Sequence, residues 1–141
     1  MVAFEGQGLA GSGIVLVSGS RDGTVRFWQQ YPPANPSSSR GEWFCSGVFA
    51  GHKGQVSCVG HLKQPKVKAF LPSSALAFAN GLIVSGGVDK TINLYEPVIL
   101  GFDESTRVSD ATFSLVGHTD TVCALDIDAT GQLIASGSWD K

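Results

Sequence analysis

The chain has 141 residues, 43% of them hydrophobic and 16% charged, with ten basic against twelve acidic side chains and a net charge of −2. That is the composition of one globular domain rather than of a disordered chain, and its near-balanced charge leaves no footprint for nucleic acid or an anionic membrane. No apolar run approaches the ~18 residues that span a bilayer.

The opening MVAFEGQGLA has no basic stretch followed by an apolar one. No signal peptide is expected, and the cytoplasm, with the nucleus as a second compartment, is the expected location. Eighteen glycines, nearly twice the usual ~7%, call for many turns. Gly6 to Gly11 spells G-x-G-x-x-G. A dinucleotide site needs a strand before that motif and a helix opening at its end. A strand-like run follows instead, so the segment reads as a glycine-rich hairpin connection and no cofactor is expected.

Val15–Asp22 is a short apolar run, then Ser-Gly, then a turn ending in Asp. Val25 and Phe27 continue it with the period-two alternation of a half-buried strand. Tyr31–Gly41 is rich in Pro and Ser and reads as a solvated loop. A strand is expected near 42–50. Gly51-His52 then leads into Val56-Ser57-Cys58-Val59. Gly60–Asn80, with Lys63, Lys66 and Lys68, reads as a second solvated insert. Leu82–Asp89 and Ile92–Tyr95 repeat the earlier hairpin. Gly117-His118 leads into Val122–Leu125 with the same spacing as Gly51-His52, and Leu133–Asp140 is a third copy of the Ser-Gly-turn-Asp run.

Cys45, Cys58 and Cys123 have no paired spacing and read as small, partly buried hydrophobes. Cys58-x-x-His61 lacks the second pair a metal site needs, so no metal is expected. Asn35-Pro36-Ser37 has proline in the blocked position and is no glycosylation acceptor. No G-x-S-x-G motif accompanies His52 or His118, so no catalytic residues and no enzyme activity are expected.

Gly-His, a strand, then a strand-turn-strand ending in Trp or Tyr resembles the WD repeat of β-propellers over residues 13–141. The repeats are long: Asp22 to Asp89 is 67 residues and Asp89 to Asp140 is 51, against a usual ~40–45, and the two inserts account for the excess. The expected fold is therefore all-β: a partial WD-repeat propeller of about two and a half to three four-stranded antiparallel blades, truncated at both ends. One domain covers 1–141. Blade one is 1–50, incomplete, with its final strand near 42–50; blade two is 51–116; 117–141 starts blade three. Blades stabilise one another, so this set is not expected to be stable alone.

The resemblance implies a hydrogen-bonded tetrad of His, Ser, Asp and Trp in each blade. A buried imidazole, hydroxyl, carboxylate and indole must find partners or lose solvation uncompensated. It assigns Ser18, Asp22 and Trp28 to the first blade. The second takes His52, Ser85 and Asp89, with Tyr95 in the Trp place. The third takes His118, Ser136 and Asp140.

The succession Ser20–Trp28, Ser46–Val59, Gly81–Asn93, Gly117–Leu125 and Ser136–Lys141 is similar to the N-terminal propeller of the phospholipase A-2-activating protein family. That likeness implies a non-enzymatic adaptor. Its propeller binds ubiquitin or ubiquitinated proteins, and it reaches the valosin-containing AAA ATPase through regions absent from this chain. Nucleic-acid binding and membrane insertion are not implied; a WD scaffold of another pathway is the alternative. The loops expected to face ubiquitin carry Trp139, Arg21, Lys53, Gln55, Val88, Thr119 and Asp120. Trp139 leads because a turn indole offers a large apolar face.

Overall fold

The computed structural model describes residues 1–8, 11–30, 43–62, 81–96, 107–128 and 133–141. The insert at 31–41 lies outside the described residues, as do residues 63–80 of the insert expected at 60–80, with its three lysines; Gly60, His61 and Leu62 are not loop but the end of a strand, held by pairing with Val84, Ile83 and Leu82. Eleven strands and no helix make up the described residues. β1 (Val2–Gly8), β2 (Gly11–Gly19), β3 (Val25–Gln30) and β4 (Trp43–Phe49) form one sheet in chain order, with β8 (Arg107–Ser109) added at its edge. β5 (Val56–Leu62), β6 (Leu82–Gly87), β7 (Thr91–Tyr95) and β9 (Phe113–Val116) form the second sheet. β10 (Val122–Ile127) and β11 (Ile134–Ser138) form the third.

The glycine run is a hairpin. β1 and β2 pair from Val2↔Val17 to Gly8↔Gly11, leaving only residues 9 and 10 between them. The first sheet thus has four consecutive antiparallel strands. β8 pairs in parallel with β4, Gly47↔Arg107 to Phe49↔Ser109, and Ala50 N–H donates to Ser109 O at 2.9 Å. A strand from the connection between β7 and β9 therefore caps the outer edge of the preceding blade, which otherwise offers unpaired backbone groups.

β3 shows the expected alternation, with Val25 and Phe27 buried. β7 does not: Ile92, Asn93, Leu94 and Tyr95 are all buried. One of its faces meets the first sheet and the other the third. Tyr95 joins Val15, Val17, Val25, Phe27, Phe49, Val56 and Ile83 in one core, while Ile92 and Leu94 join Val84 and Val122 in another.

The repeated Ser-Gly has a packing reason. A Cβ on Gly19 would stand 2.6 Å from Val56 Cγ1, and one on Gly86 would stand 2.6 Å from Val122 Cγ1. In each case the glycine of one blade receives the valine that opens the next blade's first strand. At Gly137 a Cβ would meet only Ala124 Cβ, at 3.5 Å.

Candidate functional site

In the second blade the strand pairing Val59↔Ser85 and Gly86↔Ile92 brings the loop before β5 beside the β6–β7 turn. His52 Nδ1 lies 2.9 Å and 3.1 Å from the Asp89 oxygens, and Nε2 lies 2.7 Å from Ser85 Oγ. Lys53 N–H and Thr91 Oγ1–H donate to Asp89 at 2.8 Å and 2.9 Å. Burial pushes the Asp89 carboxyl up, but the Lys53 amide, His52 and Thr91 together outweigh it and hold it below the usual carboxylate range. Ser85 Oγ stands 3.4 Å from the Tyr95 hydroxyl. This is longer than the 2.9 Å bond that the Trp28 indole N–H donates to Ser18 in the first blade. A phenol hydroxyl in the indole's place completes the network at longer range.

The third blade repeats the arrangement. His118 Nδ1 is 2.8 Å from Asp140 Oδ2, Nε2 is 2.9 Å from Ser136 Oγ, and Thr119 N–H donates to Asp140 at 2.8 Å. The Thr119 amide, then His118, holds the Asp140 carboxyl below its ordinary value. In the first blade the described partners of the Asp are local. Asp22 accepts from Thr24 Oγ1–H at 2.6 Å, Thr24 N–H at 2.9 Å and Arg26 Nη2–H at 3.2 Å. The Thr24 hydroxyl, then the Thr24 amide and Ser20, take the Asp22 pKa down to about 2.

These networks share one end of the sheets. Val56 N–H donates to Ser20 O at 3.0 Å, tying the first blade's turn to the second blade's first strand. At that end Arg21, Val88 and Trp139 occupy the same position in three successive turns, and all are exposed, Trp139 at 68%. Lys53, Gln55, Thr119 and Asp120 are exposed on the loops before β5 and β10. The seven loop residues singled out from the sequence thus lie at one end. Sequence reasoning missed Thr91, although it follows the tetrad Asp at the spacing of Thr24 after Asp22, and it missed Lys90.

Cys58 packs as expected. Its thiol donates to the Gly86 and Val122 carbonyls at 3.8 Å and 3.9 Å, and burial pushes its pKa up. Cys45 is half-buried. The expectation fails at Cys123, which is exposed, because no further sheet covers β10 and β11 among the described residues. Those residues hold no group of three His, Cys, Asp or Glu side chains fit for a metal ion.

Residues 9–29, 43–96 and 109–141 match the family described as WD domain, G-beta repeat. The chain is 33% identical over 125 residues to the phospholipase A-2-activating protein of Xenopus laevis, covering 89% of this chain and 12% of that protein. It thus spans about one eighth of the length of that relative. Among solved structures it resembles the WD40 beta propeller domain of Doa1, with a TM-score of 0.55 and 25% identity over 90% of this chain and 32% of that one. A chain of the mitotic checkpoint complex shares the fold, with a TM-score of 0.51 and 19% identity over 88% of this chain and 29% of that one.

Proposed function

The chain belongs to the WD domain, G-beta repeat family, and from that membership we propose that its exposed turns form the ubiquitin-binding surface of an adaptor in ubiquitin-dependent protein degradation. It is a WD-repeat protein-interaction module, related to phospholipase A-2-activating protein and to the Doa1 propeller. On this reading it is non-enzymatic, works without a cofactor in the cytoplasm and nucleus, and acts with the valosin-containing AAA ATPase through regions outside these 141 residues.

The observation that carries the reading is the placement of Arg21, Val88 and Trp139. The scaffold engages its own polar groups on Ser18, Ser85 and Ser136, and leaves one variable side chain per blade exposed at the same end. An exposed indole and an exposed valine at that end offer a folded partner apolar surface. The test is titration of isotope-labelled ubiquitin with the chain, read in the amide spectrum. Localised shifts that weaken with Trp139→Ala support the reading. An unchanged ubiquitin spectrum at high chain concentration overturns it and leaves a WD scaffold of another pathway.

A further inference from the structure

Among the described residues β11 pairs with β10 alone, whereas its counterparts β2 and β6 each carry a further strand, β3 and β7, along the other edge. The outer edge of β11 therefore presents backbone donors and acceptors without a ladder partner. The two wider sheets show what such an edge accepts. In both, a β-branched residue stands opposite the repeated glycine, Val25 on Gly19 and Ile92 on Gly86. Three residues later an aromatic stands opposite the apolar residue two before the serine, Trp28 on Leu16 and Tyr95 on Ile83. Both aromatics then reach the serine hydroxyl, Ser18 or Ser85. On β11 the matching positions are Gly137, Ile134 and Ser136. Ser136 Oγ meets His118 Nε2, but no indole or phenol among the described residues.

An apolar floor lies beside this edge. Tyr95 rests on Phe49, the residue paired with Val25 on the outer strand of the first sheet. The residue paired with Ile92 on the outer strand of the second sheet is Leu115, and Phe113 pairs with Leu94. Phe49 is 7% exposed, but Leu115 is 48% exposed and Phe113 53%. Directly opposed residues of two strands share a face. Leu115 and Phe113 therefore lie on the face of Ile92 and Leu94, against which Ile134 of β11 packs. A strand added beyond β11 lies about 4.8 Å farther out, and β9 is likewise one strand beyond β7. The added strand thus comes over Leu115 and Phe113.

We infer that β11 is an acceptor edge for an extended segment of a partner protein. That segment places a β-branched residue opposite Gly137 and a tryptophan three residues on, opposite Ile134. Its indole N–H donates to Ser136 Oγ and its ring covers Leu115. Ladder hydrogen bonds supply affinity, and the alternate side chains supply specificity. A second copy has no such strand to give, because its segments of that pattern, Val25–Trp28 and Ile92–Tyr95, are each already paired along both edges. The site runs along the edge of β11 and uses none of the turn residues of the ubiquitin reading, so either can fail without the other.

The probe is a synthetic peptide with blocked termini, Lys-Thr-Val-Lys-Leu-Trp-Lys, titrated into the isotope-labelled chain. Its controls are the same residues in scrambled order and the peptide with tryptophan replaced by serine or by phenylalanine. The expected result is shifts at Ala135, Gly137 and Leu115. Affinity should fall about tenfold or more for the scrambled and serine peptides, and about threefold for phenylalanine, which keeps a ring and loses the N–H. Leu115→Lys, at an exposed position, should cost about tenfold in affinity while leaving the fold intact. Absence of binding at millimolar peptide overturns the proposal. So does equal binding of the scrambled peptide, or affinity unchanged in Leu115→Lys. A concentration-dependent dimer that the peptide does not dissociate also overturns it, and assigns the edge to a second copy. Peptide binding together with an unchanged ubiquitin spectrum overturns the adaptor reading alone.

Discussion

The Tyr95 ring lies 4.8 Å from the Phe49 ring, centroid to centroid, at a 31° tilt. The aromatic that completes the second blade's network is thus packed on the outermost consecutive strand of the first. Phe49 in turn meets Phe27 edge to face at 5.8 Å. One side chain serves both a polar network and an interblade core, and the two roles separate by mutation. Tyr95→Phe keeps the ring and loses a long hydrogen bond, costing about 0.5–1 kcal/mol. Tyr95→Ala empties a fully buried site and should cost about 3–5 kcal/mol. Denaturant midpoints of the two variants check the separation.

Gly86 and Gly137 occupy the same place in successive repeats, but only Gly86 has a neighbour's valine against it. Gly86→Ala should destabilise by about 1–3 kcal/mol through overpacking. Gly137→Ala should stay within about 0.5 kcal/mol. Adding Val122→Ala to Gly86→Ala should restore part of the loss, giving a coupling energy in a double-mutant cycle.

Acid should weaken the fold before it affects anything else at these turns. Asp22, Asp89 and Asp140 all have folded pKa values below the ordinary carboxylate value, Asp22 at about 2. A lowered folded pKa gives stability that is present above the unfolded value, near 4, and lost as pH falls through the folded one. Their contribution should be flat from pH 7 to about 5 and decline as pH falls below about 4, for Asp22 down to about 2. A chemical-denaturation series across pH reads this directly; a decline centred near pH 6 would assign the acid sensitivity elsewhere.

Trp139→Ala removes a mostly exposed side chain whose backbone N–H donates to Thr121 O. Stability should change by no more than about 0.5 kcal/mol. Ubiquitin affinity should fall about tenfold or more if the indole is the anchor. Unfolding and titration measured on the same preparation separate the two.

Lys90→Gly relieves a left-handed backbone conformation, φ 70° against 85° at Gly23 in the same place of the first turn, but frees the unfolded chain. The balance should favour the fold by about 0.5–1 kcal/mol. A higher melting temperature in that variant is the expected reading.

Much of this was legible because the repeat carries it. Ser18, Ser85 and Ser136 lie at matching positions, and so do their aspartates, so the spacing alone locates the networks. Period two gave β3 correctly. It failed for β7, because alternation marks one buried face and Asn93 and Tyr95 are covered by a second blade. β8 left no signal at all. Arg-Val-Ser has no pattern of its own, and its parallel pairing depends on where the long connection after Tyr95 returns. Strain at Lys90 was also hidden, since only backbone angles distinguish it from Gly23.

The β4–β8 pairing also bears on the order in which the chain acquires structure. Gly47 and Arg107 are partners sixty residues apart, 47 to 107, with the whole β5–β7 unit between them. Closing so long a loop is slow and comes late. During synthesis the outer edge of β4 stays open until Arg107–Ser109 has left the ribosome, so the first blade is finished only after most of the second has been made. The interval before β8 arrives is when β4 is most exposed to pairing with another chain.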